Sequence, residues 1–316
     1  MTSRRARKST NHKSKRWLKI ISLVVLFVIL GGGGYAYSIY NNAKQTVDKK
    51  MNTPVASIDY DIGKKKVKEN KPVNVLLMGV DERNNDRGRS DALMVMTLDP
   101  KKNRMQLISI PRDTRTTIVG DGRQDKINHA YAFGGTDMAI NTVESFLEIE
   151  LDYYVSMNME GLTEMVDAVG GITVNNKLDW KDRGYYKKGY HYAKGEIELN
   201  GPKTMGYVRM RYQDPNGDFG RNQRQRQVIE GIIEKGASVA SVNKIDNMIG
   251  VLGDNMKTNM KFSDMKNLLT NYSSTRKNMV TYQMTGQGIK INGIYYLQVP
   301  EKEVQKVHSM IEEYNS

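Results

Sequence analysis

The sequence predicts an α/β domain that follows a single membrane-spanning helix. Two observations carry this prediction. Short apolar runs bounded by polar turns alternate along the chain with segments of helical spacing, which is typical of an α/β domain. Ahead of them, residues 20–43 contain no charged side chain. About 20 residues of this kind are enough to cross a bilayer as a helix.

The charge of the N-terminal region predicts the orientation of that helix. Residues 1–19 carry +8 of the net charge of +13 and no acidic residue, so the rest of the chain is only mildly basic at +5. The positive-inside rule places such a tail in the cytoplasm and the chain after the helix outside. The length of the segment and its lack of a small-x-small cleavage motif favour an uncleaved anchor over a cleaved signal peptide.

Four regions are therefore expected. They are a basic cytoplasmic tail at 1–19, a transmembrane signal-anchor at 20–40, a polar stalk at 41–71 and an extracytoplasmic domain at 72–316. A single-pass protein of the cell membrane with this topology excludes nucleic acid as a partner, although the chain is basic. The chain has no cysteine, which excludes a disulfide framework, a thiol nucleophile and a thiolate metal site.

The elements of the domain follow from their apolar spacing. Runs such as NVLLMGV predict buried strands at 74–80, 92–98, 105–110, 153–158, 172–174 and 278–284. Apolar positions three or four residues apart predict helices at 136–149, 159–171, 221–237 and 303–314. VNKIDNMIGVL and FSDMKNLLTNY suggest two more helices. Residues 176–197 are polar and rich in tyrosine, which predicts a long exposed excursion.

Familiar catalytic signatures are absent from the sequence. It contains no G-x-S-x-G, no H-E-x-x-H, no Walker lysine loop and no G-x-G-x-x-G after a strand. The histidines at 12, 129, 191 and 308 are far apart and lack the spacing of metal ligands. The remaining candidates for chemistry are clusters of charged residues at the ends of predicted strands.

The first three clusters converge under one simple topology. They are Asp81 and Arg83 after the first strand, Arg87, Arg89 and Asp91 before the second, and Arg112, Asp113 and Arg115 after the third. If strands one and three are parallel neighbours and strand two is antiparallel to them, the clusters share one sheet edge. Ligands bind at the carboxyl ends of strands in α/β sheets. Each cluster alone could be a solvated turn, but three that converge favour a site.

A fourth cluster lies within residues 207–227. Arg209 and Arg211 are two residues apart, so on an extended segment their side chains would face the same way. Asp218 precedes the predicted start of the helix at 221–237. These residues place two more guanidinium groups and one more carboxylate close to a helix N-terminus.

The first turns of that helix are basic. Arg221, Arg224 and Gln225 stand at i, i+3 and i+4 and share one face. Arginines at a helix N-terminus oppose the macrodipole, and a bound anion would offset that cost. The alternative is a basic solvated face, which is the expectation for Arg226. Together, aspartates and arginines at one site indicate phosphoryl transfer, in which a divalent metal and guanidinium groups neutralise the transferring group.

Six motifs occur in a fixed order along the chain. They are GVDER, RGRSDALMV, SIPRDTR, DKINHAYAFGG, MNMEGLTEMVDAVGGI and RMRYQDPNGDFGRNQRQRQ. In order and spacing they resemble the LytR–CpsA–Psr family of Gram-positive cell-wall enzymes, over roughly residues 72–230. A single N-terminal membrane helix is also usual in this family.

The resemblance implies a fold and an activity. The fold is a mixed central sheet flanked by helices, with an apolar pocket for a polyprenyl tail. The activity is an extracellular phosphotransferase that moves an anionic glycopolymer, expected to be wall teichoic acid, from an undecaprenyl-pyrophosphate carrier to N-acetylmuramic acid of peptidoglycan. The implied partners are the lipid-linked polymer, peptidoglycan and the membrane, and the implied cofactor is Mg²⁺ or Mn²⁺.

The resemblance also assigns roles to residues, motif by motif. Asp81 and Asp91 are the expected metal ligands, and with Arg112 and Asp218 they form the expected catalytic set. Asp218 would orient the arginines or help to activate the attacking hydroxyl. The expected substrate-binding residues are Arg83, Arg89, Arg115, Lys126, Arg209, Arg211, Arg221 and Gln225. Arg112 would contact the pyrophosphate as well.

A second class of function stays open at this point. A membrane-anchored regulator could bind anionic cell-wall polymer without catalysis. Such a protein would need the arginines, but it would not need two aspartates in position to bind a metal. The presence of Asp81 and Asp91 therefore favours the enzyme.

Overall fold

The computed structural model describes residues 35, 37–81, 88–236, 249–250 and 252–316. The chain divides into two compact units, Met1–Asn42 and Ala43–Ser316. In the first unit, the described residues 35 and 37–42 are helical. Among the residues described, no helix has both the length and the hydropathy needed to cross a bilayer. The predicted anchor at 20–40 lies largely outside the described residues.

The second unit contains strands and helices in alternation. Its described strands are β1 (Val73–Val80), β2 (Ser90–Asp99), β3 (Arg104–Ile110), β4 (Arg115–Thr117), β5 (Gln124–Lys126), β6 (Tyr153–Met157), β7 (Ile172–Asn176), β8 (Trp180–Lys181), β9 (His191–Tyr192), β10 (Gly195–Leu199), β11 (Met256–Thr258), β12 (Met279–Gln283), β13 (Gln287–Ile291) and β14 (Ile294–Gln298). Its described α-helices are α1 (Tyr60–Lys68), α2 (His129–Leu147), α3 (Met159–Ala168), α4 (Gly201–Arg209), α5 (Gly217–Gly236), α6 (Phe262–Asn271) and α7 (Glu301–Asn315). A π-helical turn, Val47–Met51, and a 3₁₀ turn, Ser273–Asn278, complete the set.

A six-stranded mixed sheet forms the centre of this unit, in the order β11-β6-β1-β2-β3-β12. β2 pairs antiparallel with both β1 and β3, whereas β6 runs parallel to β1 and β12 runs parallel to β3. The antiparallel direction predicted for the second strand is confirmed. The predicted neighbourhood of strands one and three is wrong, because β2 lies between them.

Helices cover both faces of the sheet, as expected for an α/β domain. On one face Leu76 and Ile108 pack with Val143 of α2 and Val307 of α7. On the other face Tyr153 and its neighbours pack with α1 and α6. Both faces of β1 to β3 are therefore buried, which explains why these strands read as continuous apolar runs rather than alternating ones.

The folded unit begins at Ala43, ahead of the boundary expected at residue 72. Val47 and Met51 of the π-helical turn are buried against Leu252 and Phe262. Val67 of α1 is buried in the core on the α6 side of the sheet. A few apolar positions in a polar segment are enough to attach it, and a scan for long apolar runs does not detect them.

The segment at 176–197 is mostly exposed, as its polarity predicts, but it folds around a few buried side chains. The aromatic rings of Trp180 and Tyr192 stack 4.7 Å apart, and these residues are only 4% and 1% exposed. The Asp182 carboxylate accepts hydrogen bonds from four successive backbone N–H groups, those of residues 184 to 187, and so fixes the turn between β8 and β9. Tyrosine rings supply a small satellite core here, since only their hydroxyl ends are polar.

Candidate active site

The ends of β1 and β2 bring the two predicted metal ligands together. Gly79 pairs with Ala92 and Val80 with Ser90, so Asp91 is the extra residue of a β-bulge, next to the point where β1 ends and Asp81 follows. The backbone N–H groups of Asp81 and Asp91 both donate to the Arg89 carbonyl, at 3.2 and 3.0 Å. The two aspartates therefore stand at one edge of the sheet. Arg83, a predicted substrate contact, lies outside the described residues.

Arg112 reaches the same edge from β3. The strand ends at Ile110, and Pro111, which has no N–H to donate to a ladder, turns the chain out of the sheet. The Arg112 Nη1 donates to Asp91 Oδ1 at 2.6 Å, while its Nε lies 3.4 Å from Asp218 Oδ2. One guanidinium group thus connects a predicted metal ligand with a carboxylate of α5.

Asp218 is shared among three guanidinium groups at the N-terminus of α5. Besides Arg112, its carboxylate lies 2.6 Å from Arg221 Nη2 and 3.6 Å from Arg211 Nε. The side chains of Arg112, Asp218 and Arg221 are all less than one-fifth exposed. We call this set of five residues, Asp91, Arg112, Arg211, Asp218 and Arg221, the arginine–aspartate network.

The network carries more positive than negative charge. Burial opposes the charge of Arg112, but the nearby Asp91 and Asp218 outweigh it and raise the pKa of that guanidinium. For Arg221, burial prevails and lowers the pKa, because Asp218 is shared and Arg112 adds repulsion. Arg112 Nε and Arg221 Nε are buried without a hydrogen-bond partner among the described residues. An anion would satisfy these donors.

Two further predicted contacts flank the network. Lys126 Nζ bonds to Asp113 Oδ1 at 2.7 Å, so Asp113 is held mainly by a lysine, whereas the Arg112 Nε is 4.0 Å from its other oxygen. Arg115 pairs with Lys126 across the short ladder of β4 and β5. Lys126 therefore bonds to the residue that follows Arg112, and Arg115 is its partner in the ladder.

Three other predicted contacts are near the site but outside these ion pairs. Arg89 is exposed, and Gln225 is buried with its Oε1 unpaired among the described residues. Arg209 is the last residue of α4 and lies over the ring of Tyr185 at 5.8 Å. The expectation that residues 209 and 211 sit on one extended segment is thus wrong, because the helix continues to Arg209.

Arg224 does not share the role of Arg221. It is 5% exposed, its Nε donates to the Tyr207 carbonyl at 3.1 Å, and it also bonds to the Met210 carbonyl and the Asp214 carboxylate. These contacts join the end of α4 to α5 and hold the loop that carries Arg211. Asp214 is a structural member of the site region that the sequence analysis did not identify.

Arg226 also departs from expectation. Its side chain is 11% exposed, not solvated, and its Nη1 lies 3.3 Å from Ser109 Oγ and 3.4 Å from Gln283 Oε1. Its Nε lies 3.6 Å from Glu230 Oε1. Arg226 therefore attaches α5 to the ends of β3 and β12, beneath the arginine–aspartate network. Helical spacing could not show this, because the sheet covers a face that looks solvent-exposed in sequence.

The contact between Arg224 and Asp214 can be tested through Gly220. A Cβ at Gly220 would overlap the Asp214 carboxylate and force it away from Arg224. Because breaking a buried ion pair is strongly destabilising, Gly220→Ala is expected to lower the free energy of unfolding by about 3 kcal/mol. Thermal unfolding checks this against Gly236→Ala in the same helix, where a Cβ would meet only Val169 Cγ1 at 3.6 Å. Equal melting temperatures for both variants would show that the pair does not hold the loop.

The donor set at the sheet edge fits a divalent cation. Asp81 and Asp91 offer carboxylate oxygens, and Mg²⁺ in proteins is commonly held by one or two carboxylates plus substrate phosphates. Ser90 Oγ, on the residue before Asp91, is buried and has no hydrogen-bond partner in the described part of the chain. The described residues contain no group of three or more acidic or histidine side chains arranged to hold a metal. Two carboxylates are nonetheless enough for this ion when substrate phosphates supply further ligands.

Comparison with known proteins places the chain in a family. Residues 34–313 match the model of the LytR_cpsA_psr family. The chain is 44% identical, over 97% of its length and 98% of the relative, to the polyisoprenyl-teichoic acid–peptidoglycan teichoic acid transferase TagU of Bacillus subtilis.

Solved structures give the same result for the fold. The crystal structure of B. subtilis TagV superposes with a TM-score of 0.70 at 36% identity, covering 78% of this chain and 98% of that one. A structure of TagT bound to LIIa-WTA superposes with a TM-score of 0.69 at 30% identity, covering 84% and 97%. The family resemblance of the six motifs is confirmed, and the chain belongs to the LytR_cpsA_psr family.

Proposed function

We propose that this protein transfers a phosphate-linked anionic glycopolymer, wall teichoic acid, from an undecaprenyl-pyrophosphate carrier to the N-acetylmuramic acid of peptidoglycan. The observation that supports it best is the arginine–aspartate network, in which three guanidinium groups share the Asp218 carboxylate at a helix N-terminus. The similarity to a teichoic acid transferase over nearly the whole chain supports the choice of polymer.

The arginines are proposed to hold the pyrophosphate of the carrier. Arg112, Arg211 and Arg221 converge on Asp218. The unpaired N–H groups of Arg112 and Arg221 can bind phosphate oxygens, while the helix N-terminus favours negative charge. Arg89, Arg115, Lys126, Arg209 and Gln225 are proposed as outer contacts of the same substrate. Before substrate binds, Asp218 keeps the guanidinium groups together that would otherwise repel one another.

The reaction is proposed as an in-line displacement at phosphorus. The muramic acid hydroxyl oxygen attacks the phosphate that bears the glycopolymer, the bond to the lipid-linked phosphate breaks, and lipid phosphate leaves. The proton of the hydroxyl passes to a base, for which Asp218 is the proposed candidate. Asp81 and Asp91 are proposed to hold Mg²⁺ or Mn²⁺, which when bound neutralises charge on the phosphates. The residues of the chain orient the reactants and stabilise the charge that develops.

A reconstituted transfer assay tests this function. The full-length protein in detergent would be incubated with lipid-linked teichoic acid, peptidoglycan and Mg²⁺, and the digested product examined by mass spectrometry. A phosphodiester between the polymer and muramic acid is the expected result. Tight binding of the lipid-linked polymer with no covalent product would instead support the non-catalytic regulator.

The domain is proposed to lie outside the cell. The digestion of intact protoplasts by added protease tests this orientation. The basic tail and the uncharged segment at 20–43 carry this expectation. Protease added outside should digest the chain from about residue 43 onward and leave only a short membrane-protected fragment. If the domain survives and only the first residues are lost, the orientation is inverted. Lysed protoplasts serve as the control in which both parts are accessible.

A further inference from the structure

The C-terminal β-hairpin, formed by β13 and β14, lies against the segment that carries Arg112. The Leu297 N–H donates to the Asp113 carbonyl at 2.8 Å, and Thr114 and Leu297 form a parallel bridge. The hairpin is therefore bonded, through backbone groups, to the chain immediately after Arg112. None of the six family-like motifs extends into this part of the sequence.

Tyr295 of β14 lies two residues before Leu297, and its ring leans across Gly288, the residue that pairs with Leu297. It is 40% exposed, so its ring is not part of the core. Partial burial, and then the negative charges of Asp113 and Asp218, raise the pKa of its phenol. The phenol is thus a neutral hydrogen-bond donor at neutral pH.

The ring of Tyr295 packs against Gly288 of the neighbouring strand β13. A Cβ at Gly288 of β13 would lie 2.9 Å from Tyr295 Cε2 and 3.1 Å from its hydroxyl oxygen. The first distance is shorter than real Cβ contacts and the second is tighter than most of them, so a side chain at residue 288 would make the ring shift. The next residue, Tyr296, is turned away and its hydroxyl lies 3.4 Å from Asp125 Oδ1.

We propose that Tyr295 completes the phosphate-binding site from the C-terminal hairpin, with its hydroxyl donating to an anionic oxygen of the carrier's pyrophosphate. The inference rests on the proposed function of this site. The arginine–aspartate network reaches the substrate from the sheet edge and from α5, and the hairpin adds a donor from a third element. An uncharged donor suits this position because, unlike a lysine, it would not form an ion pair with Asp113 or Asp218.

Removal of one oxygen atom tests this contact. The full-length protein in detergent would be titrated with farnesyl pyrophosphate, an isoprenyl pyrophosphate without glycan, by calorimetry. Tyr295→Phe is expected to weaken binding about tenfold, as the loss of one hydrogen bond to a charged group implies, with an unchanged melting temperature. The matched control is Tyr282→Phe, whose hydroxyl bonds to Glu303 on the α7 side. Equal affinity in the Tyr295 and Tyr282 variants overturns the inference.

A double-mutant cycle separates this role from general packing. Gly288→Ala should displace the ring and weaken farnesyl pyrophosphate binding by a similar factor. In a Tyr295→Ala background the same change should cost nothing further, because no ring remains to be displaced. Additive losses in the double variant would show that Gly288 acts independently of Tyr295, and would overturn the inference.

The transfer assay distinguishes this inference from the proposed function. If the wild-type protein transfers polymer and Tyr295→Phe transfers it at the same rate and affinity, only the inference fails. If the wild-type protein makes no covalent product, but Tyr295→Phe binds farnesyl pyrophosphate more weakly than the wild type does, the contact stands and the transfer activity fails.

Discussion

Arg112→Lys is expected to lower the rate of polymer transfer by at least roughly ten- to a hundredfold, although the positive charge is kept. The Arg112 guanidinium uses two different edges, Nη1 toward Asp91 and Nε toward Asp218. A lysine has one ammonium group and cannot reach both carboxylates while also presenting a two-pronged contact to phosphate. Steady-state transfer with lipid-linked polymer measures the effect, and Arg112→Ala should be impaired at least as strongly.

The control for this variant lies a few residues further along the chain. Arg123 is more than half exposed and pairs with Asp121 in the same turn, so Arg123→Lys should transfer polymer at the wild-type rate. Both variants should keep the wild-type melting temperature within a few degrees. If Arg112→Lys transfers polymer at the wild-type rate, Arg112 belongs to a solvated turn and does not hold the substrate.

Asp81→Asn and Asp91→Asn are each expected to keep the fold and lose transfer activity by roughly a hundredfold or more. Each change removes one of two carboxylates that the structure places at a single sheet edge. Asp91→Asn should be the more severe, because Asp91 also orients Arg112. Transfer measured over a range of Mg²⁺ concentrations should show that Asp81→Asn needs more metal than the wild-type protein.

An aspartate outside the network provides the comparison. Asp121→Asn alters a carboxylate that pairs with Arg123 in an exposed turn, and its activity and metal requirement should match the wild type. Undiminished turnover in either site variant, or of the wild-type protein in excess chelator, would contradict a catalytic metal at Asp81 and Asp91.

The sheet and the convergence of charges were predictable from the sequence because they depend on local patterns. Apolar runs placed β1, β2 and β3, and the antiparallel direction of β2 brought Asp81, Asp91 and Arg112 to one edge. The order of strands was not predictable in the same way. A run that is buried on both faces carries no information about which strand lies beside it, so β2 was not expected between β1 and β3.

The different contacts that the arginines of α5 make were only partly predictable from the sequence. Helical spacing groups Arg221, Arg224 and Gln225, but it does not show that Arg224 is buried against the carbonyls at the end of α4. Arg226 looks solvent-exposed in sequence and is covered by β3 and β12. Both errors have one cause. The neighbours that bury these side chains lie about 15 to more than 100 residues away in sequence.

The position of the C-terminal hairpin gave no signal in the sequence. Residues 287–298 form an exposed hairpin with no motif, and its place beside Arg112 depends on a backbone bond between Leu297 and Asp113, far apart in the chain. Main-chain contacts of this kind do not depend on residue type, so they leave no pattern to recognise. The one local feature that marks this position is Gly288, which pairs with Leu297 and lies under the ring of Tyr295.

A crystal structure of this protein with an isoprenyl pyrophosphate bound is the most direct test of the proposed site. The arginine–aspartate network should then hold the pyrophosphate, with an Arg112 nitrogen within about 3.2 Å of a phosphate oxygen and with Arg221 on the same phosphate group. A pyrophosphate bound elsewhere, with Arg112 more than about 4 Å from every phosphate oxygen and no bridging water, would contradict the account.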